Sequence, residues 1–341
     1  MAEMTSTGPL HVVTAGDENY APGILVLAGS VWRHNPGARI TVLGLGLSDA
    51  SAALMRELAA AMGGEIEVLA TDRAAVDGLA ANLARLSVAT FLRIEIPRLL
   101  PDVARAIYLD SDMVVMGSLA PLWEMGLGQA LIAAVPDPST KTEEFEALGM
   151  QAGEYVNSGL LVMNLDLWRA EAVGEKCRAF LTDPEQQRFQ ADQSAINAIC
   201  RHRVVALPAR WNFWSRSHSV YDESELAEAP VVVHFVGAQK PWLYSDVPAE
   251  ALWLAEAAAL PVRLPALQRR PLQKARRHAL ARAEHWLRRH VYAALGIRGY
   301  RARKARAKVD AELLRLWEAR FIAPHVAATS ASGAPPGIHA R

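Results

Sequence analysis

The chain contains 341 residues, 51% of them hydrophobic and 21% charged, so it can bury a sizeable core as one large domain or as a domain with an additional region. A membrane span needs roughly 18 consecutive apolar residues, and no run in the sequence approaches that length. The opening residues lack the pattern of a signal peptide, and Cys177 and Cys200 lack the spacing of a metal site or a disulfide framework, which predicts a cytoplasmic location.

The formal net charge is zero, but the charges are unevenly distributed along the chain. Residues 1–262 carry 18 Lys and Arg against 32 Asp and Glu, whereas residues 263–341 carry 18 against 4. This change predicts an acidic main domain over 8–262 and a basic helical C-terminal region over 263–326. The Ser, Gly and Pro residues of 327–341 predict a disordered tail there.

Apolar runs and helical patterns alternate in the first third of the chain. The elements predicted there are a strand over 10–15, a helix from 22 to about 35, a strand over 40–45, a helix over 48–62, a strand over 65–69 and a helix over 90–99. This alternation is typical of βαβ units, so the sequence predicts an α/β fold with a mostly parallel sheet flanked by helices.

The later elements are shorter and less regular. Strands are predicted over 130–135, 155–165 and 231–235, and Asp192 is predicted to cap a short helix that ends near Ile199. Residues 136–153 lack a clear period, which indicates a mobile loop over a site.

A central apolar run, residues 106–109, ends in two carboxylates separated by one residue. In extended backbone residues i and i+2 point to the same side, so Asp110 and Asp112 present both side chains to one place. Two such anions are tolerated best around a divalent cation, and the carboxyl end of a strand is where binding crevices open. An acidic turn is the commoner explanation of an isolated Asp-x-Asp, but the strand before it and the motifs after it favour a metal site.

Six motifs follow one another in a set order. They are Ala15–Tyr20, Ser87–Arg93, Asp110-Ser111-Asp112, Asn157-Ser158-Gly159, Asp192-Gln193 and His234–Trp242. In this order the chain resembles glycosyltransferase family 8, which includes bacterial lipopolysaccharide galactosyl- and glucosyltransferases and glycogenin. The resemblance spans about residues 12–242, and His-Phe-x-Gly-x-x-Lys-Pro-Trp is its most specific part. It implies a Rossmann-like GT-A domain that transfers galactose or glucose from a UDP-sugar to a glycan or glycolipid acceptor, with retention of anomeric configuration.

The resemblance also implies a metal site. Asp110, Asp112 and His234 are expected to bind Mn²⁺, with Mg²⁺ as a second candidate, beside the UDP diphosphate. Two carboxylates and an imidazole suit such an ion, which neutralises the charge of the leaving group. A histidine that ends a strand is more often a packed residue, but Gly237 and Lys240 after it favour a ligand beside a phosphate-binding turn.

Further positions match residues that bind the donor in the family. Those expected to contact the nucleotide or diphosphate are Asp17, Asn19, Tyr20, Asp110, Ser111, Gly237 and Lys240. A polar turn with a core tyrosine would explain Asp17, Asn19 and Tyr20 if they stood without the other motifs. Two positions depart from many relatives: Phe91 replaces a tyrosine, and Ser194 replaces the second aspartate of Asp-Gln-Asp.

Four residues are expected at the reacting sugar. Arg93, Asn157, Asp192 and Gln193 match residues that line the donor hexose, although Arg93 on a helix is equally explained as a surface cation. Gln193 is expected on the face opposite the leaving group, but a carboxamide is a poor nucleophile. The sequence therefore favours same-face attack, in which the leaving phosphate accepts the acceptor's proton, over a covalent glycosyl-enzyme.

Two other functions are compatible with parts of the sequence. Asp110 also fits the nucleophile of haloacid-dehalogenase-like phosphatases, but three strands precede it and no later acidic pair follows. The second is a non-catalytic binder that acts through the basic residues 263–308, where an apolar stripe at helical spacing predicts contact with an anionic membrane surface. Packing against the acidic main domain is an alternative use of these charges, and nucleic acid is not expected as the partner.

Overall fold

The computed structural model describes residues 8–76, 79, 88–140, 142–186, 191–267, 269–271 and 299–332. The strands are β1 (His11–Asp17), β2 (Arg39–Leu45), β3 (Glu65–Thr71), β4 (Arg105–Leu109), β5 (Met113–Val115), β6 (Ile132–Ala134), β7 (Leu160–Asn164), β8 (Val204–Ala206), β9 (Phe213–Trp214), β10 (Val232–His234), β11 (Tyr244–Ser245) and β12 (Arg270–Pro271). The helices are α1 (Ala21–His34), α2 (Asp49–Met62), α3 (Leu92–Leu99), α4 (Ala120–Glu124), α5 (Thr142–Ala147), α6 (Leu165–Ala170), α7 (Val173–Thr182), α8 (Ala191–Cys200), α9 (Glu223–Ala227), α10 (Glu250–Ala258), α11 (Gly299–Trp317) and α12 (Ala323–Ser332).

Seven strands form the main sheet, in the order β3, β2, β1, β4, β7, β6, β8. β1 pairs in parallel with β2 and β4, and β2 with β3, whereas β7 runs antiparallel to β4 and β6. Val12 and Val13 of β1 are fully buried and belong to two core clusters, because successive side chains of a strand point to opposite faces and each face is covered. The predicted α/β fold with a mostly parallel sheet is confirmed.

A small second sheet, ordered β5, β10, β9, lies beside the end of β4. β10 runs antiparallel to β5, with His234 opposite Met113, and the backbone N–H of Phe235 donates to the carbonyl oxygen of Asp112 at 2.9 Å. This register places residues more than a hundred positions apart in sequence at one point of the fold.

The ends of α2 agree with the sequence pattern. The Ser48 hydroxyl accepts a hydrogen bond from the backbone N–H of Ser51, and Gly63 ends the helix with a φ of 64°, a conformation that glycine adopts without strain. One prediction is wrong, because α8 begins at Ala191, so Asp192 lies in its first turn and is not its N-cap. Residues 136–153, which lacked a clear period in the sequence, contain the six-residue helix α5.

The described part of the C-terminal region packs on the main domain. Trp317 at the end of α11 stacks on Phe213, with ring centroids 5.0 Å apart and planes 8° apart. The Asp310 carboxylate accepts from the backbone N–H of Ser219 at 2.7 Å, and that of Glu318 accepts from the backbone N–H of Ala249 at 2.7 Å. For residues 299–332 the sequence alternative of packing against the main domain is therefore the one observed.

The tail boundary needs correction, because α12 extends to Ser332 and Thr329 is buried within it. Disorder from residue 327 is therefore wrong for residues 327–332. The apolar stripe predicted around Leu280 and Trp286 lies outside the described residues, as does Ser87 of the second motif. No helix of the described segments is long and apolar enough to cross a membrane.

Candidate active site

Asp110, Asp112 and His234 meet at the carboxyl end of β4. His234 Nε2 lies 3.2 Å from Asp112 Oδ1 and 3.8 Å from Asp110 Oδ2, and one ligand atom from each residue lies within 4.8 Å of the others. Gly159 backs this cluster: a Cβ there would lie 2.5 Å from His234 Cε1 and 2.9 Å from Asp110 Oδ2. The space next to the three side chains is therefore kept open by a residue without a side chain.

A chain of hydrogen bonds fixes which ring nitrogen of His234 carries the proton. Asn157 Oδ1 accepts from the backbone N–H of Gly159 at 3.0 Å and from Asn212 Nδ2 at 2.8 Å. Because the amide nitrogen of Asn212 is used there, its Oδ1 faces His234 Nδ1, 2.8 Å away. An amide oxygen can only accept, so Nδ1 carries the hydrogen and the Nε2 lone pair faces the two aspartates.

This donor set fits a divalent cation. Burial alone would raise the pKa of the Asp112 carboxyl, but nearby positive charge, first of all that of Lys240, outweighs burial and holds that pKa well below its usual range. Two carboxylates and an imidazole nitrogen are ligands that Mn²⁺ and Mg²⁺ accept, and the orientation of His234 by a hydrogen bond at Nδ1 is the usual arrangement for a metal-binding histidine.

Lys240 is buried against this cluster. Its ammonium contacts Asp112 Oδ2 and donates to the carbonyl oxygen of Phe235 at 3.0 Å. Gly237, three residues earlier, has a φ of 86°, and a Cβ there would come 3.3 Å from the Arg216 guanidinium. The turn therefore brings positive charge to the edge of the carboxylate cluster.

Arg93 is a buried connector, and its interpretation as a surface cation is wrong. It is 4% exposed, and its guanidinium lies 3.0 Å from Asp110 Oδ1 and 2.8 Å from Asp192 Oδ2. Burial works against the charged form, but these two carboxylates outweigh it and raise the pKa of Arg93. It also donates to the carbonyl oxygen of Ser158 at 2.6 Å, which ties α3 to the loop before β7.

Asp192 is held in place by the same guanidinium. Asp192 Oδ2 forms an ion pair with Arg93 that lacks hydrogen-bond geometry, because the Arg93 Nε–H points at the carbonyl oxygen of Thr90. The other oxygen, Asp192 Oδ1, accepts a hydrogen bond from the Thr90 hydroxyl at 3.3 Å. Burial raises the pKa of Asp192, and the charge of Arg93 opposes that rise. The residue therefore positions Arg93 and the start of α8.

The Gln193 amide is oriented at both ends. Its Oε1 accepts from Asn157 Nδ2 at 3.0 Å and from the backbone N–H of Ser158 at 3.2 Å, and its Nε2 donates to Asp137 Oδ2 at 3.0 Å. Asp137 also accepts from Asn157 Nδ2 at 3.3 Å. The structure thus brings together Asn157 and Gln193, as predicted, and adds Asp137, which no motif of the sequence indicated.

The residues predicted to bind the nucleotide lie at the carboxyl end of β1. Asp17 Oδ1 accepts from the backbone N–H of Asn19 at 2.9 Å, and Tyr20 packs edge-on against Trp242 with centroids 5.6 Å apart. Burial, together with nearby carboxylates, raises the pKa of Tyr20, so its hydroxyl stays protonated. Ser111 is buried, and its carbonyl oxygen lies 2.5 Å from where a Cβ on Gly23 would stand.

Two clefts open beside these groups. The first, of about 460 Å³, lies at the carboxyl ends of the first three strands and is lined by Asp17, Leu45, Gly46, Thr71, Asp72, Arg73 and Val88. The second, of about 380 Å³, lies beside Asp137 and Tyr155. The cluster of Asp110, Asp112 and His234 lies between the end of β1 and the Asn157–Gln193–Asp137 network. This arrangement suits a substrate with two dissimilar halves.

Two polar residues of the site were missed from the sequence. Asp137 follows β6 after Val135 and Pro136, so a carboxylate at a strand end was the available signal. Asn212 precedes the two-residue strand β9 and has no periodic pattern around it. Only the pairing of β9 with β10 places it beside His234.

Several known proteins are similar to this chain in sequence or in fold. The family model described as Glycosyl transferase family 8 matches residues 11–246. General stress protein A of Bacillus subtilis (strain 168) is 27% identical over 252 residues, 68% of this chain and 87% of that protein. The lipopolysaccharide 1,2-glucosyltransferase of Escherichia coli (strain K12) is 27% identical over 149 residues, 40% of this chain and 44% of that protein.

A solved structure of the galactosyltransferase LgtC in complex with donor and acceptor sugar analogs has the same fold. It superposes with a TM-score of 0.67 at 26% identity, covering 75% of this chain and 98% of that chain. The match covers nearly all of that chain, so the overall fold is shared.

Proposed function

Because the chain belongs to glycosyl transferase family 8 and has a GT-A fold, we propose that it transfers a hexose, galactose or glucose, from a UDP-sugar to a glycan acceptor with retention of configuration. The observation that carries this proposal is the meeting of Asp110, Asp112 and His234, with the His234 Nε2 lone pair turned towards the carboxylates. Family membership argues against the phosphatase interpretation of Asp110.

Asp110, Asp112 and His234 would hold Mn²⁺ or Mg²⁺, which when bound neutralises charge on the departing diphosphate. Lys240 supplies a second positive charge beside the same cluster, and a fixed cation near a developing negative charge lowers the barrier. The φ of 86° at Gly237 lets the backbone approach the diphosphate oxygens closely. Asp17, which lines the first cleft, would bind the uridine together with Asn19 and Tyr20.

The Gln193 environment supports same-face attack. Its oxygen accepts from the backbone N–H of Ser158 and its nitrogen donates to Asp137, so the amide presents a fixed dipole and no basic nucleophile. Asp192 is paired with Arg93 and buried. The acceptor hydroxyl would then give its proton to an oxygen of the leaving diphosphate, while Gln193 and Asn157 stabilise the sugar as positive charge develops at its anomeric carbon.

A screen of UDP-sugars with Mn²⁺ tests the proposal, since weak donor hydrolysis reveals the sugar even when the acceptor is missing. We expect UDP release from UDP-galactose or UDP-glucose, and loss of release in Asp112→Asn. Release of inorganic phosphate from an aryl phosphate, with no UDP release from any sugar nucleotide, would contradict the proposal.

For the acceptor we propose a glycolipid of the lipopolysaccharide type, reached by peripheral contact of the basic region 263–308 with an anionic membrane face. The support is the excess of Lys and Arg there and the lipopolysaccharide glucosyl- and galactosyltransferases among the relatives. We expect the full chain to bind anionic vesicles and to lose that binding as salt rises. Absence of binding at low salt would contradict it.

A further inference from the structure

Three polar side chains converge at a second place, distant from the candidate active site. His34 ends α1, Glu256 lies in α10 and His325 lies in α12, and one ligand atom from each lies within 4.8 Å of the others. α1 begins directly after Tyr20 and is 14 residues long, so its two ends are about 20 Å apart. His34 is therefore at the end of α1 away from the carboxylate cluster.

Glu256 is the centre of this group. It is fully buried, its Oε1 accepts from the Thr329 hydroxyl at 3.1 Å, and His325 Nε2 lies 2.9 Å from the same oxygen. Its Oε2 accepts from Arg33 Nε at 3.2 Å. Both carboxylate oxygens are thus held by outer partners, as is usual for a carboxylate that binds a metal through a remaining lone pair.

His34 takes no part in these hydrogen bonds. Its ring centroid lies 5.5 Å from that of His325, and within the described segments its buried Nε2 has no hydrogen-bond partner. A buried polar nitrogen without a partner costs free energy, and a second imidazole beside a carboxylate–imidazole pair does not relieve that cost. A cation bound by His34, Glu256 and His325 would give the His34 ring a polar partner.

We propose that His34, Glu256 and His325 bind a divalent transition metal of the zinc class. Two imidazole nitrogens and one carboxylate oxygen form a common three-ligand set for Zn²⁺, with water as the fourth ligand. The 2.9 Å between His325 Nε2 and Glu256 Oε1 is close to the separation of neighbouring ligands in such a site. The three ligands come from three helices, so the metal fastens α12 to the main domain.

The test uses the full chain and Zn²⁺ alone, with Asp112→Asn as the background that removes the other candidate metal site. Bound zinc is counted by elemental analysis after dialysis, and affinity is measured by calorimetry. We expect one zinc per chain in Asp112→Asn, and an affinity at least about tenfold lower when His34→Gln or His325→Gln is added, since even an outer partner of a metal site is worth that much.

The matched control is His202→Asn, because His202 is an exposed histidine whose φ of 63° Asn tolerates. It should leave zinc binding unchanged. Zinc affinity that does not fall with His34→Gln, or that falls equally with His202→Asn, overturns the proposal.

If the histidine variants fail to fold, the visible spectrum of Co²⁺ added to Asp112→Asn tests the site instead. Strong visible absorption of low-coordinate cobalt supports the site, and the weak spectrum of six-coordinate cobalt overturns it. The proposal does not depend on the transferase reaction, so loss of UDP-sugar activity in Asp112→Asn does not affect the outcome.

Discussion

Asn212 orients a residue of the candidate metal site without being a ligand itself. It contacts Nδ1 of His234, whereas Nε2 is the nitrogen that would bind the cation. Asn212→Leu removes the acceptor of the His234 Nδ1 hydrogen and the donor to Asn157 Oδ1. His234 can then move its proton to Nε2, which lies 3.2 Å from Asp112 Oδ1, and form a hydrogen bond there. That bond must be broken before Nε2 can bind a cation.

The size of the effect follows from the lost contacts. An outer partner of a metal-binding histidine is worth about 10–100-fold in metal affinity, or about 1.4–2.7 kcal/mol. Because Asn212 is 1% exposed, water does not replace its amide, so we expect Asn212→Leu to lie in the upper part of that range.

The assay is calorimetric titration of Mn²⁺ in the presence of UDP, with ¹⁵N NMR of His234 in the metal-free protein to identify the protonated nitrogen. Wild type should carry the proton on Nδ1 and Asn212→Leu on Nε2. Asn212→Asp keeps an acceptor for Nδ1 and should bind Mn²⁺ more tightly than Asn212→Leu. Wild-type Mn²⁺ affinity in a folded Asn212→Leu protein, or an unchanged tautomer, would refute the reasoning.

Four further predictions follow from contacts in the structure. Gly159→Ala should abolish Mn²⁺ binding measured by calorimetry, because its Cβ would stand 2.5 Å from His234 Cε1; near-normal binding would contradict the site geometry. Gln193→Ala should lower hexose transfer without abolishing it, and a hexosyl adduct on Asp192 found by mass spectrometry would establish double displacement instead. Trp317→Ala should cost about 3–5 kcal/mol in urea unfolding, because it empties the stack on Phe213, and a cost near zero would mean that α11 does not stabilise the main domain. Burial, opposed by Asp310, lowers the pKa of His218 from 6.5 to about 4. As pH falls, the unfolded chain therefore takes up a proton at His218 before the folded chain does, and the free energy of unfolding should fall by at most about 1.4 kcal/mol per pH unit between pH 6.5 and 4. His218→Gln should remove that share of the pH dependence, and an unchanged pH dependence would contradict the lowered pKa of His218.

The parts of the site that the sequence predicted are those carried by local patterns. Asp110 and Asp112 follow an apolar run, and i and i+2 of extended backbone share a side wherever the strand lies. The motif from His234 to Trp242 is continuous, so its order could be recognised without knowing the fold. The predicted strands over 40–45 and 65–69 alternate with predicted helices along the chain, and the structure has β2 and β3 there.

The parts that the sequence did not predict depend on contacts between distant segments. Asn212 acts only because β9 pairs with β10, and a two-residue strand has no periodicity to detect. The packing of α11 depends on Trp317 meeting Phe213, which charge counting over 263–341 could not show. The charge difference suggested a separate region, whereas contacts between distant segments, such as the stack of buried Trp317 on Phe213, join its described part to the main domain.

The linkage between metal and nucleotide tests the central claim most directly. UDP affinity should be measured by calorimetry with and without Mn²⁺ in wild type, Asp112→Asn and His234→Ala. We predict that Mn²⁺ strengthens UDP binding at least about tenfold in wild type, since the cation would contact both the diphosphate and the three side chains, and that both variants lose this coupling while remaining folded. UDP binding that is independent of Mn²⁺ in wild type, or coupling that persists in both variants, would contradict the assignment of Asp110, Asp112 and His234.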